Sequence, residues 1–130
     1  VKSVEVNFTK MLGVHNCISC GNGTDVLYIA MKALGVELGD EVITTAHSWI
    51  STSETITQAG ARVVFCDTNE DDFFNVSKLS QLITPKTKGI IPVHLYGKSV
   101  DMAPLMEIAK AQNLTLLRIS AEQEARIQWL

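Results

Sequence analysis

Cys20-Gly21-Asn22-Gly23-Thr24-Asp25, running into Val26-Leu27-Tyr28-Ile29-Ala30-Met31-Lys32-Ala33-Leu34, is the stretch from which the rest of the chain can be read. Residues 25–34 put Val26, Leu27, Ala30, Met31 and Leu34 on one helical face, and Gly35 follows as a stop. A glycine-bearing loop that opens such a helix is a unit of α/β proteins. Residues 15–19, just upstream, read as short and extended, and residues 4–12 as a helix with Val4, Phe8 and Leu12 in phase before Gly13. Downstream, residues 41–45 are a β-branched strand and 51–59 a helix closed by Gly60. Residues 62–66, Arg-Val-Val-Phe-Cys, read as a buried strand. A short helix is expected over 76–83 with Asn75 as its cap, then a strand over 88–95. A helix over 102–111 follows, capped by Asp101, and a last apolar strand over 114–117. Strands separated by helices need crossover connections. The reading is therefore an α/β fold, a mainly parallel sheet flanked by helices. Ligands in such sheets bind beyond the carboxyl ends of the strands. The chemistry is expected at the loop before Asp25, at Ala46-His47-Ser48-Trp49, and just after Leu117.

Composition narrows the function. The 130 residues suit one domain, and 11 Lys+Arg against 14 Asp+Glu give a net charge of −3, which leaves no basic footprint for nucleic acid. Hydrophobic residues at 46% with charged residues at 19% describe an ordinary globular chain. The longest low-charge stretch, 89–97, falls far short of the roughly 20 apolar residues that cross a bilayer. Lys2, Glu5 and Lys10 interrupt any signal-peptide core, and three cysteines are an odd number, so reduced thiols in the cytoplasm are expected. Cys17 and Cys20 form C-x-x-C, but a structural zinc site needs two further ligands that Cys66 and scattered histidines do not supply, so no metal is expected.

The loop admits two readings. Its glycines allow close approach of a ligand, the helix start offers N–H groups to an anion, and the Thr24 hydroxyl suits a phosphate oxygen. Alternatively, Thr24 or Asp25 merely caps the helix, although the partner of a capping box is absent: Leu27 and Tyr28 stand where Glu or Gln would. Two common phosphate motifs do not fit. Walker A fails because Pro92 stands where Gly97-Lys98-Ser99 needs a glycine, and the dinucleotide fingerprint fails because Val26 occupies its third small position.

Five ordered motifs carry a resemblance. Gly23-Thr24-Asp25-Val26-Leu27, Gly39-Asp40-Glu41-Val42-Ile43, Gly60-Ala61-x-Val63-Val64-Phe65-x-Asp67, Thr84-Pro85-Lys86-Thr87-Lys88 and Ile91-Pro92-Val93-His94-Leu95-Tyr96-Gly97 resemble the large-domain motifs of the DegT/DnrJ/EryC1/StrS family. That resemblance runs from about residue 8 to 117. It implies part of the large domain of the type I (aspartate aminotransferase) fold and pyridoxal 5′-phosphate as cofactor. The implied substrates are a nucleotide-linked keto-sugar and an amino donor, usually glutamate. Gly23, Thr24 and Asp25 would hold the cofactor phosphate, and Trp49 would stack on its ring, an indole offering a broad flat face. The alternative for Trp49 is a core residue packing under the sheet. His47 and His94 receive no role, each reading as a hydrogen-bonded packing residue.

The pattern then breaks. Where the family has Glu-Asp-x-Ala-Gln, this chain has Arg118-Ile119-Ser120-Ala121-Glu122, so Ile119 replaces the acid that sits against the pyridine nitrogen. The family's Schiff-base lysine lies further along than these 130 residues, and Lys86, Lys88, Lys98 and Lys110 lie in the wrong motifs to replace it. The expected organisation is 1–117 as a partial cofactor-binding domain and 118–130 as an aberrant tail, of which 120–130 suits a helix. A frameshift or premature end would explain that change. The expected function is therefore that of the N-terminal third of a sugar aminotransferase, inactive as this chain and homodimeric when whole. A sugar dehydratase of the same family and a non-catalytic binding or regulatory protein are the alternatives.

Overall fold

The computed structural model describes residues 1–70 and 74–120, so the expected helix over 120–130 lies outside the described residues apart from its first position. The chain runs α1 (Lys2–Leu12), α2 (Gly23–Ala33), β1 (Glu41–Thr45), α3 (Ser51–Ala59), β2 (Arg62–Cys66) and α4 (Val76–Leu79). It continues through β3 (Thr87–Ile91), β4 (Val93–His94), α5 (Met102–Ala111), β5 (Thr115–Leu116) and β6 (Ile119–Ser120). Four strands form a parallel sheet in the order β2-β1-β3-β5, and β4 and β6 form a second parallel pair. This is the α/β arrangement that the alternation of elements predicts.

Side chains of β1 alternate between two cores. Val42 packs with Leu27, Met31, Ile56 and Ala59, under α2 and α3. Ile43 packs with Leu79, Ile90, Leu105 and Ala109, under α4 and α5. Both faces are covered, so all five residues of β1 are buried. Helix boundaries follow local chemistry. Gly13 closes α1 and Gly60 closes α3, both in the left-handed conformation that glycine adopts without strain. Asp101 caps α5, accepting from Ala103 N–H at 3.1 Å, as read from the sequence.

Four local expectations are corrected. Residues 15–19 join no sheet among the described residues; the Ser19 N–H and hydroxyl instead donate to Glu5 Oε1 at 2.9 and 2.8 Å, tying the segment to α1. The strand expected over 88–95 is two strands, because Pro92 has no N–H for the ladder; its carbonyl accepts from Ile119 N–H at 3.2 Å. The helix expected over 76–83 ends at Leu79, and turns carry the chain to Pro85. Among the described residues β2 pairs with β1 alone and is an edge strand, with Arg62 and Phe65 exposed and only Cys66 fully buried. Pairing also continues past Leu117: Ile119 lies opposite Val93 and Ser120 opposite His94.

At the amino ends of the strands, two of the sequence motifs meet. Glu41 accepts from Thr84 Oγ1 at 2.6 Å and from Arg62 Nη2 at 2.6 Å, while its own N–H donates to Lys86 O at 2.8 Å. This clamp joins β1, β2 and the turn into β3 on the side opposite the carboxyl-end loops.

Candidate functional site

Two loops meet at the carboxyl end of the sheet. Asn22, in extended conformation, is the N-cap of α2: its Oδ1 accepts from Asp25 N–H at 2.9 Å and its Nδ2 donates to Asp25 Oδ2 at 2.8 Å. The cap is thus one residue that the sequence reading passed over, not Thr24 or Asp25. With Asn22 capping, the N–H groups of Gly23 and Thr24 have no partner among the described residues, while that of Asp25 is taken. A side chain on Gly23 would meet nothing within 4 Å, so the space over the helix start is open. Free N–H groups, the positive end of the α2 dipole and open space make this an anion-accepting surface.

The Thr24 hydroxyl points across to α3. It donates to Ser51 Oγ at 2.9 Å, joining the first turns of α2 and α3. Ser51 was not singled out by the sequence motifs; its only signal is a hydroxyl two residues beyond Trp49. A second hydroxyl pair, Ser48 with Thr52 at 2.9 Å, braces the same loop. Trp49 sits between these pairs with 76% of its surface exposed. The reading of Trp49 as a core residue under the sheet is therefore wrong. An exposed indole on a braced loop has a free face for stacking.

The two histidines flank this region. His47 Nε2 lies 2.9 Å from Tyr96 Oη, and the two rings meet edge to face with centroids 5.7 Å apart. Tyr96 has φ 55°, an uncommon conformation for a bulky residue, in the turn after β4. His94 is part-buried; its Nδ1 accepts from Val100 N–H at 3.0 Å, and its Nε2 lies 3.5 Å from Arg118 Nη2. Desolvation first, and then the nearby Arg118 guanidinium, hold its pKa below the ordinary value of 6.5. His94 ties β4 to the loop before α5.

Among the described residues no group of three or more His, Cys, Asp or Glu is placed to hold a metal ion. Cys17, Cys20 and Cys66 are free thiols, and burial raises the Cys66 pKa.

Comparison with known proteins now joins this geometry to a family. Residues 1–123 match the DegT/DnrJ/EryC1/StrS aminotransferase family. The chain belongs to that family. Among its relatives, GDP-perosamine synthase of Caulobacter vibrioides is 42% identical over 120 residues, covering 91% of this chain and 32% of that protein. The X-ray structure of S. venezuelae DesV, in complex with a ketimine intermediate, superposes with a TM-score of 0.87 at 30% identity, covering 90% of this chain and 32% of that one. A GDP-4-keto-6-deoxymannose-3-dehydratase with a trapped PLP-glutamate geminal diamine superposes with a TM-score of 0.83 at 27% identity. The α/β fold is thus that of the type I aminotransferases, and the chain spans about a third of the length of the curated relatives it matches.

The residues of this family member fit a phosphorylated aromatic cofactor at two of its three ends. The open start of α2 fits the phosphate and the exposed Trp49 face fits a ring. The third end does not fit. The position that the resemblance gives to the ring-nitrogen acid holds Ile119, 9% exposed and packed with Val93, Leu95 and Leu117.

Proposed function

We propose that this chain is the N-terminal, cofactor-binding third of a pyridoxal-phosphate-dependent aminotransferase acting on nucleotide-linked keto-sugars. The observation that carries the reading is the α2 start: two unpartnered N–H groups at Gly23 and Thr24 beneath open space, joined through Thr24 and Ser51 to the loop that exposes Trp49. In this reading Gly23 and Thr24 hold the cofactor phosphate. Asp25 stays with the cap: its N–H donates to Asn22 Oδ1 and its carboxylate accepts from Asn22 Nδ2, away from the like-charged phosphate. Trp49 stacks on the ring and orients it. When bound, pyridoxal phosphate supplies an electron-accepting ring for amino-group chemistry. The Schiff-base lysine belongs to the remaining two-thirds of the relatives' length, and the whole protein is a cytoplasmic homodimer taking its amino group from a donor such as glutamate. By itself the chain does not transaminate, because Ile119 offers no acid to the ring nitrogen.

A second reading keeps the cofactor and changes the reaction to sugar dehydration. The likeness to GDP-4-keto-6-deoxymannose-3-dehydratase favours it, and the two readings share every residue named above.

Titration calorimetry with pyridoxamine 5′-phosphate and with pyridoxamine tests the phosphate assignment, since neither carries an aldehyde that reacts with surface lysines. The phosphate ester should bind more tightly. Thr24→Val should remove roughly 1–3 kcal/mol of that preference, the scale of a hydrogen bond to a charged group. Equal affinities in the unaltered chain would overturn the assignment.

A further inference from the structure

Resting on that reading, we infer that Ser51 is a positioning residue for the anion site, acting through Thr24. Three observations meet at its hydroxyl. Ser51 Oγ already accepts the Thr24 proton at 2.9 Å. Its own O–H proton donates to no group among the described residues. With only 8% of the residue exposed, bulk water does little to satisfy that proton. Its backbone is held as well: Ser51 is the first residue of α3, and its carbonyl accepts from Thr55 Oγ1 at 2.7 Å.

The consequence is a reversible pair. A threonine hydroxyl has one proton and cannot donate to Ser51 and to a phosphate oxygen together. When an anion occupies the α2 start, the Thr24 proton turns to it. The Ser51 proton then turns into the vacated contact and donates to Thr24 Oγ1. The exchange takes rotation of the two O–H bonds and a small adjustment of the Ser51 side chain, which in this structure is placed to accept from Thr24. The resulting chain, Ser51 to Thr24 to anion, polarises the Thr24 hydroxyl and strengthens the bond that it donates. Ser51 thereby links the loop carrying Trp49 to the phosphate end, so that the two ends of one ligand are registered against each other.

The experiment measures the ratio of pyridoxamine 5′-phosphate to pyridoxamine affinity in four chains: unaltered, Thr24→Val, Ser51→Ala and the double variant. Ser51→Ala should lower the ratio by between about two- and twelve-fold, the scale of one net hydrogen bond, and leave pyridoxamine affinity in place. In the Thr24→Val background it should change nothing further, because the group that it acts through is gone. Ser51→Cys keeps the volume with a weak donor and should lower the ratio in the same direction, which covers a failure of the alanine variant to fold. An unaltered chain that prefers the phosphate, with Ser51→Ala and Ser51→Cys showing the same ratio, overturns the inference and leaves the proposed function standing. An equal loss in the Thr24→Val background also overturns it, since Ser51 would then act directly. A ratio of one in the unaltered chain overturns both.

Discussion

At Gly89 the sheet is tight against a side chain. A Cβ there would meet the Thr115 carbonyl oxygen at 3.0 Å, so the backbone of the neighbouring strand would have to give by a few tenths of an ångström. Gly89→Ala should therefore cost about 1–3 kcal/mol, as overpacking of a core does, by prising β5 from β3. A urea titration with an unmoved midpoint would contradict this. That constraint is invisible in the sequence, where Gly89 looks like an ordinary weak point in a strand. The site residues were legible to different degrees for similar reasons. Gly23 and Thr24 announce themselves because a glycine loop before an amphipathic helix has few other uses. Asn22 does not, because any of Asn22, Thr24 and Asp25 is a good cap and only the backbone decides between them. Trp49 could be placed on a loop but not exposed, since burial depends on what packs over it. Ser51 was out of reach, because its partner is 27 residues away.

Among the elements, α5 and β1 were read to the residue because capping and patterning both act locally. The misread elements are those decided by neighbours. β2 looked buried because it is apolar, yet among the described residues it is an edge with Phe65 exposed, and residues 15–19, read as short and extended, find no ladder there. The clamp at the amino ends of the strands is likewise a meeting of distant motifs. The Thr84 hydroxyl first, and then Arg62, hold the Glu41 pKa below its ordinary value of 4.5. A carboxyl depressed in the folded state adds stability above its unfolded pKa and loses it as pH falls through the folded value. Glu41→Gln should therefore melt lower than the unaltered chain near neutral pH. The gap should narrow as pH falls below 4.5, where the unaltered side chain also loses its charge. A gap of the same size at pH 7 and at the acid end would show that charge is not what the clamp uses.

On the scale of the whole molecule, the order of elements makes an α/β sheet legible, and five spaced motifs make the family legible. What the sequence does not carry is the environment that the remaining two-thirds of its relatives' length supplies in those proteins. α1 buries none of its residues, and Val4, Met11, Ile18 and Ile50 stay exposed around the site-bearing core. Within that span, the proposal is that the carboxyl-end loops form a surface for a phosphorylated aromatic cofactor. Trp49 reports on it directly, and Trp129 is the other tryptophan in the chain. In the Trp129→Phe variant, emission should begin as that of a solvent-exposed indole and fall in a saturable way as pyridoxamine 5′-phosphate is added. Adding Thr24→Val should shift the same curve to higher concentration. Emission from Trp49 that stays unchanged at concentrations where calorimetry shows the site filled would contradict the stacked geometry on which the account rests.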